Sequence, residues 1–115
     1  MRYYKFPKWL RWFYPGAIWD FSFPANTKKI IYLTFDDGPV PEVTTPLLEL
    51  LDKYPVKATF FIIGECAKQH PEMFEFIHKK GHVLANHTFT HPPFHKITMK
   101  RKIKEVVDTN ILIKK

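Results

Sequence analysis

The sequence predicts an α/β protein built on a parallel β-sheet, and two observations support this prediction. Apolar segments of strand length occur at 30–35, 58–63 and 83–85, and segments with helical spacing of apolar residues lie between them. Strands that alternate with helices in this way run parallel, with right-handed crossovers that place the helices against the sheet. A length of 115 residues gives room for one such domain.

The first strand is predicted at residues 30–35, a continuous apolar run rich in β-branched and aromatic residues. Such a run is typical of a strand that is buried on both faces. The strand ends at residues 36–39, which favour a turn. A helix with a leucine-rich face is then predicted to begin at Thr44 or Thr45, either of which can cap it, and to end near Tyr54.

The remaining elements follow the same alternation. A second buried strand is predicted at 58–63, a helix from Pro71 to Gly81, and a short third strand at 83–85. After a loop that contains two prolines, Thr98 begins a strongly basic helix. The apolar residues of this helix recur at the spacing of a single face, namely Met99, Ile103, Val106, Val107 and Ile111.

The N-terminal segment differs from the rest of the chain in its aromatic content. Residues 1–23 hold ten of the nineteen aromatic residues, including all three tryptophans. Because basic residues are mixed with them, one interpretation is an amphipathic segment that makes peripheral membrane contact. We favour the other interpretation, a leader that packs against the domain and covers one end of its core. The chain is therefore divided into an aromatic and basic leader, 1–27, and a domain, 28–115.

The formal net charge of +7 is concentrated at the two ends of the chain. Residues 1–20 carry a net +3, residues 95–115 a net +5, and residues 21–94 a net −1. Neither a nucleic-acid reader motif nor interleaved stacking aromatics accompany the C-terminal lysines. The pattern favours a solvated helix face over a nucleic-acid-binding surface.

The sequence carries few signals of cellular location. No apolar segment reaches the roughly 18 residues of a membrane-spanning helix, and no clear signal peptide can be recognised. The single cysteine, Cys66, excludes an internal disulfide. The sequence therefore leaves the location open between the cytoplasm and the cell envelope, and it leaves the oligomeric state open as well.

Two polar clusters follow the first and third predicted strands. Asp36 and Asp37 come directly after the first strand, and His87 and His91 come directly after the third. Because the carboxyl ends of parallel strands meet at one edge of the sheet, we expect the two clusters to face the same crevice. The two histidines are four residues apart, so one helical turn would direct both imidazoles to one point. Two histidines and a carboxylate with open positions form the ligand set of a catalytic divalent-metal site.

The adjacent carboxylates suggest a division of roles. If Asp37 binds the metal, Asp36 lies beside the site without being a ligand, which suits a general base. A metal of the zinc type acidifies water and polarises a carbonyl oxygen, so that an ester or amide can be attacked at neutral pH. The residues by themselves therefore indicate metal-assisted hydrolysis and do not name a substrate.

Two segments of the chain resemble a known family. Residues 34–39, TFDDGP, followed about fifty residues later by 86–91, NHTFTH, are similar to the first two motifs of the polysaccharide deacetylases. These are the NodB-homology enzymes of carbohydrate esterase family four. The resemblance implies the first three units of a deformed (β/α) barrel, incomplete in this chain. It further implies removal of N-acetyl or O-acetyl groups from an aminosugar polysaccharide such as peptidoglycan or a chitin-like glycan.

The resemblance also assigns roles to individual residues. It implies that Asp36 is the catalytic base and that Asp37, His87 and His91 bind a divalent metal, usually Zn²⁺. The family's later motifs, which supply an arginine, a tryptophan and a late histidine acting as general acid, have no counterpart here. We therefore expect a truncated chain with weak activity or none. The alternatives are a non-catalytic module that binds metal or glycan, and a basic protein that binds membrane or nucleic acid through its charged ends.

Overall fold

The computed structural model describes residues 9–13, 15–17 and 30–114, which fall into two units divided after Ile30. The first unit contains helix α1, Leu10–Phe13, beside which the rings of Trp9 and Phe13 meet edge to face with their centroids 6.2 Å apart. Most of the predicted leader, 1–27, lies outside the described residues. Both interpretations of that segment therefore remain predictions.

The second unit is a parallel sheet with helices between its strands, so the predicted α/β class is confirmed. The central strand, Ala58–Ile62, pairs in parallel with Leu33–Gly38 on one side and with Val83–Asn86 on the other. A short 3₁₀ helix at Phe94–Lys96 precedes the last helix. The elements in chain order are β1 (Leu33–Gly38), α2 (Pro41–Lys53), β2 (Ala58–Ile62), α3 (Gly64–Gln69), α4 (Pro71–Lys79), β3 (Val83–Asn86) and α5 (Met99–Ile113).

The hydrophobic core of this unit lies on one face of the sheet. Along β2 the buried residues alternate with half-buried ones, as expected when only one face of a strand is fully packed. The buried face of β2 belongs to the same cluster as buried residues of α2, α3 and α4. The cluster consists of Leu48, Leu51, Ala58, Phe60, Ile62, Ala67, Met73 and Ile77.

The prediction that the first strand is buried on both faces is wrong. The strand begins at Leu33 rather than at residue 30, and Ile31, just before it, is 84% exposed. In the described part of the chain β1 is an edge strand that pairs only with β2. One of its side chains, Phe35, packs against the core, with its ring 5.3 Å from that of Phe60. The apolar run therefore reflects strand propensity more than burial.

Helices α2 and α4 both begin at a proline. Helix α2 begins at Pro41, earlier than predicted, because proline suits the first helical position. Thr44 does not begin the helix, and its hydroxyl oxygen instead accepts a hydrogen bond from the Val40 amide at 3.0 Å. Helix α4 begins at Pro71 as predicted.

No helix in the described part of the chain has the length and apolar character needed to cross a membrane.

Gly81 ends α4 as the sequence predicts. Its φ of +76° is the left-handed conformation that glycine adopts most readily. The Gly81 amide donates to the His78 carbonyl oxygen at 2.8 Å, and the His82 amide donates to the Ile77 carbonyl oxygen at 3.3 Å. These two bonds form a Schellman motif, which turns the chain into β3.

Helix α5 presents an unexpected face to the rest of the unit. Thr98 caps it as predicted, since its hydroxyl oxygen accepts from the Arg101 amide at 3.3 Å. The apolar residues predicted from their spacing to form one face are exposed, however, and the buried residues of the helix are Glu105 and Thr109. The inward side of the helix therefore combines polar contacts, which are described with the candidate site below, with Leu112 and Ile113, which pack against the core.

His82 is a buried histidine next to the central strand. Only 4% of its surface is exposed, and its Nδ1 accepts a hydrogen bond from the Ala58 amide at 3.2 Å. Its Nε2 has no hydrogen-bond partner among the described residues. Burial lowers the pKa of His82, the charges of Lys57 and Lys80 lower it further, and Asp52 opposes them.

We expect the free energy of unfolding to decrease as the pH falls from about 7 to about 5. Unfolded His82 takes up a proton near its ordinary pKa of about 6.5, whereas the folded residue does so only at lower pH. The variant His82→Asn should lose this part of the pH dependence, because its Oδ1 can accept the Ala58 amide hydrogen but does not titrate. Urea unfolding across this pH range measures the effect.

The control is His78→Asn, at an exposed position of α4, which should keep the wild-type pH dependence. Equal pH dependence in the wild type and in His82→Asn would contradict the assignment of the effect to His82.

Candidate metal centre

A β-bulge near the end of β1 contains the two adjacent aspartates. Phe35 pairs with Phe60 and Gly38 pairs with Ile62, so two residues of β1, Asp36 and Asp37, lie opposite a single residue of β2. Asp37 has a φ of +69°, in the left-handed region. Bulges of this kind redirect side chains and are frequent next to active sites.

The two histidines lie in a loop after β3, so the prediction of a helical turn is wrong. The His87 amide still donates to the Ile62 carbonyl oxygen at 2.9 Å, but Thr88 and His91 then adopt positive φ values of 67° and 51°. The loop folds back on itself through polar side chains. The Thr88 amide donates to Asn86 Oδ1 at 2.8 Å, and the His91 amide donates to Thr88 Oγ1 at 3.1 Å.

This loop brings both imidazoles next to the Asp37 carboxylate. The two rings stack with their centroids 4.7 Å apart. The Asp37 Oδ1 atom is 3.2 Å from His87 Nε2 and 3.8 Å from His91 Nε2, and the three potential ligand atoms all lie within 4.8 Å of one another. Ligands about 2.0–2.1 Å from a tetrahedral ion are roughly 3.3 Å apart, which the Asp37–His87 distance of 3.2 Å matches and the Asp37–His91 distance of 3.8 Å exceeds. The oxygen and imidazole donors suit a metal of the zinc type.

Asp36 does not belong to this group of three among the described residues. It is exposed, and together with Asp37 it borders an apolar cavity of about 280 Å³ between β1, β2 and α2. The four residues singled out from the sequence therefore divide into three that come together and one that lies next to them in the chain.

Glu105 of α5 anchors the histidine loop and was missed by the sequence analysis, which interpreted this region as a solvated face. Its Oε2 accepts from the Phe89 amide at 2.9 Å and from the Thr90 amide at 2.6 Å. Its Oε1 accepts from the Thr90 hydroxyl at 2.9 Å and lies 2.7 Å from Arg101 Nη2. One signal was present in the sequence, because Arg101, Glu105 and Thr109 form a polar stripe with a spacing of four residues.

Glu105 is held in its charged form by these contacts. Burial raises the pKa of its carboxyl group, but the hydrogen bonds from Thr90 and Phe89 and the charge of Arg101 outweigh burial, so that the pKa lies below its ordinary value. Asn86 ties the start of the same loop to α5, because its Nδ2 donates to the Val106 carbonyl oxygen at 2.8 Å and to Asn110 Oδ1 at 2.7 Å.

The start of α3 supports the loop from the other side. The sequence analysis did not predict this short helix, which follows β2 after a single residue. The Gly64 amide donates to the Thr88 carbonyl oxygen at 3.0 Å, and the Glu65 amide donates to the Phe89 carbonyl oxygen at 2.9 Å. A Cβ atom at Gly64 would lie 2.5 Å from the Phe89 ring and 2.9 Å from Thr109 Oγ1, so only glycine allows this close approach.

The comparison with known proteins agrees with this fold. The family model for polysaccharide deacetylase matches residues 24–115. The chain belongs to the polysaccharide deacetylase family. The chain is also similar to the structure of the peptidoglycan deacetylase PdaC from Bacillus subtilis, with a TM-score of 0.71 and 39% identity over 74% of this chain and 42% of that one.

Two curated relatives define the similarity further. The chain is 42% identical to a chitooligosaccharide deacetylase of Rhizobium leguminosarum bv. trifolii, over 78% of this chain and 42% of the relative. It is 40% identical to a peptidoglycan-N-acetylglucosamine deacetylase of Bacillus cereus, over 81% of this chain and 34% of the relative. The chain thus spans less than half the length of these relatives, and it contains part of the family's domain.

We expect Gly64→Ala to disturb the histidine loop. The added methyl group must displace Phe89 or Thr109, and forcing a methyl group into a packed site typically costs about 1–3 kcal/mol of unfolding free energy. Urea unfolding measures the loss of stability, and amide NMR shifts of residues 87–91 report the loop. Gly16→Ala is the matched control, because a Cβ atom there has nothing within 4 Å. Wild-type shifts in Gly64→Ala would show that the close approach does not shape the loop.

Proposed function

We propose that this chain carries the metal-binding part of a hydrolase that removes N-acetyl or O-acetyl groups from an aminosugar polysaccharide such as peptidoglycan or a chitin-like glycan. One observation carries the proposal: Asp37, His87 and His91 converge on one point at the carboxyl edge of the sheet, with Asp36 as their neighbour. The relatives named above as peptidoglycan and chitooligosaccharide deacetylases support this substrate class.

The resident ion is proposed to be Zn²⁺, held by Asp37, His87 and His91. Two imidazole nitrogens and one carboxylate oxygen leave further positions open, as in catalytic rather than structural zinc sites. When bound, such an ion supplies a Lewis acid that polarises the acyl carbonyl and makes water more acidic. The protein's contribution is to hold the three ligand atoms together before the ion arrives.

Asp36 is proposed as the general base. Its carboxylate is not one of the three clustered ligands and is exposed beside them, so that it is free to accept the proton of the attacking water. Asp37 is proposed as a metal ligand instead, because its Oδ1 lies 3.2 Å from His87 Nε2. Consecutive residues of a regular strand point to opposite faces of the sheet. A bulge changes this alternation, and we propose that it lets the two consecutive acids take different roles at one site.

The second candidate function is a module that binds metal or glycan without catalysis. It rests on the same three clustered side chains, Asp37, His87 and His91, which can hold a metal without a catalytic group beside them. Metal binding is common to both candidates, and acetate release distinguishes them.

The first test of the proposed function concerns metal binding by the 115-residue chain. Calorimetric titration of the apo protein with Zn²⁺ should give one site. His87→Ala should weaken binding by more than the roughly 10- to 100-fold that loss of an outer hydrogen-bond partner costs. His78→Ala, an exposed histidine of α4, is the control and should bind like the wild type. Equal affinities in the two variants would refute the assigned ligands.

The second prediction separates the two acids by chemistry. Residues 28–115 can replace the matching segment of the Bacillus cereus relative, so that the rest of that relative's domain is present. In this chimaera Asp36→Asn should lower acetate release from an acetylated chito-oligomer by about 10²- to 10⁴-fold, because an amide does not accept a proton. The affinity for Zn²⁺ should stay near that of the parent chimaera.

Asp37→Asn should weaken Zn²⁺ binding as well as acetate release, since it removes a charged ligand. Circular dichroism of each variant checks that the chimaera is folded. Full acetate release by Asp36→Asn, or loss of Zn²⁺ affinity in Asp36→Asn but not in Asp37→Asn, would contradict the division of roles. A folded chimaera that binds Zn²⁺ and releases no acetate would favour the non-catalytic module.

A further inference from the structure

We propose that Glu105 is a positioning residue of the metal centre, which sets the affinity for the metal by holding the histidine loop in its ligating conformation. The inference rests on the proposed metal site and adds a residue whose hydrogen bonds go to Phe89, Thr90 and Arg101 rather than to the ligand side chains. It concerns a helix that the family motifs do not mark and that the sequence analysis assigned to solvent.

The first argument is the burial of the carboxylate. Glu105 is 1% exposed, and a buried carboxylate is tolerated only where hydrogen bonds and charge replace its hydration. Three of its hydrogen bonds come from Phe89 and Thr90, which lie between the two histidines in the chain. The cost of burying this charge is therefore recovered mainly through one conformation of the histidine loop.

The second argument is the strain in the loop. Thr88 and His91 both have positive φ values, a conformation that residues with a Cβ atom adopt rarely. Such a conformation persists only where surrounding contacts determine it. The Glu105 carboxylate supplies such contacts midway between the two strained residues, in addition to those from α3, and we expect the loop to relax and to carry His91 away from Asp37 when they are lost.

The third argument is the number of donors that meet the carboxylate. Two backbone amides, one hydroxyl group and the Arg101 guanidinium converge on its two oxygens. A carboxylate accepts from all four groups, whereas the amide of glutamine offers one oxygen and turns its own N–H groups toward the remaining donors. Glu105→Gln therefore keeps the shape of the side chain but loses part of its hydrogen bonding to the loop.

The experiment compares metal binding and stability in the 115-residue chain. Zn²⁺ titration should show an affinity about 10- to 100-fold lower in Glu105→Gln than in the wild type. The visible absorption of the Co²⁺-substituted protein, a direct report of ligand geometry, should change in position or intensity. Thr90→Val, at an exposed residue, removes the hydroxyl bond to Glu105 and the 3.4 Å bond from Arg101 Nη2 to that hydroxyl, keeps both amide bonds to Glu105, and should lower the affinity by a smaller factor.

Two controls separate positioning from general loss of stability. Ile77→Val trims a residue of the core that is fully buried, so it should lower the urea midpoint and leave the Zn²⁺ affinity and the Co²⁺ spectrum unchanged. Glu75→Gln removes the same charge from an exposed pair with Lys79 and should change neither quantity. If Glu105→Gln does not fold, Thr90→Val carries the test.

The outcomes distinguish this inference from the proposed function. Wild-type affinity and spectrum in Glu105→Gln, with binding lost in His87→Ala, would overturn the role of Glu105 and leave the metal site in place. A loss of affinity in Glu105→Gln no greater than that in Ile77→Val would overturn it as well. If His87→Ala binds Zn²⁺ like the wild type, the metal site itself is refuted. Where Thr90→Val carries the test, wild-type affinity in that variant would overturn the inference.

Discussion

The two segments that carry the candidate metal ligands, at the ends of β1 and β3, both pair with one residue of the central strand. Gly38 of β1 and Asn86 of β3 both pair with Ile62, which is fully buried in the core. The Ile62 carbonyl oxygen also receives the amide of His87, while the Ile63 amide donates to the Gly38 carbonyl oxygen. Parallel pairing to β2 therefore fixes the separation of the two ligand-bearing segments, and the packing of Ile62 between sheet and helices holds that separation rigid.

The ligands themselves are open to solvent, which makes the supporting contacts important. The side chains of Asp37 and His91 are 65% and 53% exposed, and that of His87 is 26% exposed. Exposed side chains gain little from packing, so their positions depend on the backbone that carries them. An open site at the edge of a sheet is also accessible to a polymer, which agrees with the proposed glycan substrate.

Helix α5 provides part of this support through buried polar residues. Its apolar stripe is exposed, with Met99 at 67% and Ile103 at 57%, while Glu105 and Thr109 are buried. The Thr109 hydroxyl donates to the Glu105 carbonyl oxygen at 3.1 Å, and Gly64 leaves the space in which Thr109 and Phe89 fit together. The polar contacts with the histidine loop and the packing of Leu112 and Ile113 on the core thus together fix which face is turned inward.

The sequence by itself determined the alternation of strands and helices, the end of α4 at Gly81, the start of α5 at Thr98, and the edge of the sheet at which Asp37, His87 and His91 meet, next to Asp36 in the chain. These follow from periodicity and from residues close together in the chain. The tertiary structure alone decided the bulge at Asp37, the loop in place of a helical turn, and the inward side of α5. Left-handed residues and a buried carboxylate are stable only with partners elsewhere in the fold, such as Glu105 for Thr90, 15 residues apart. A pattern read along the chain does not contain such pairings.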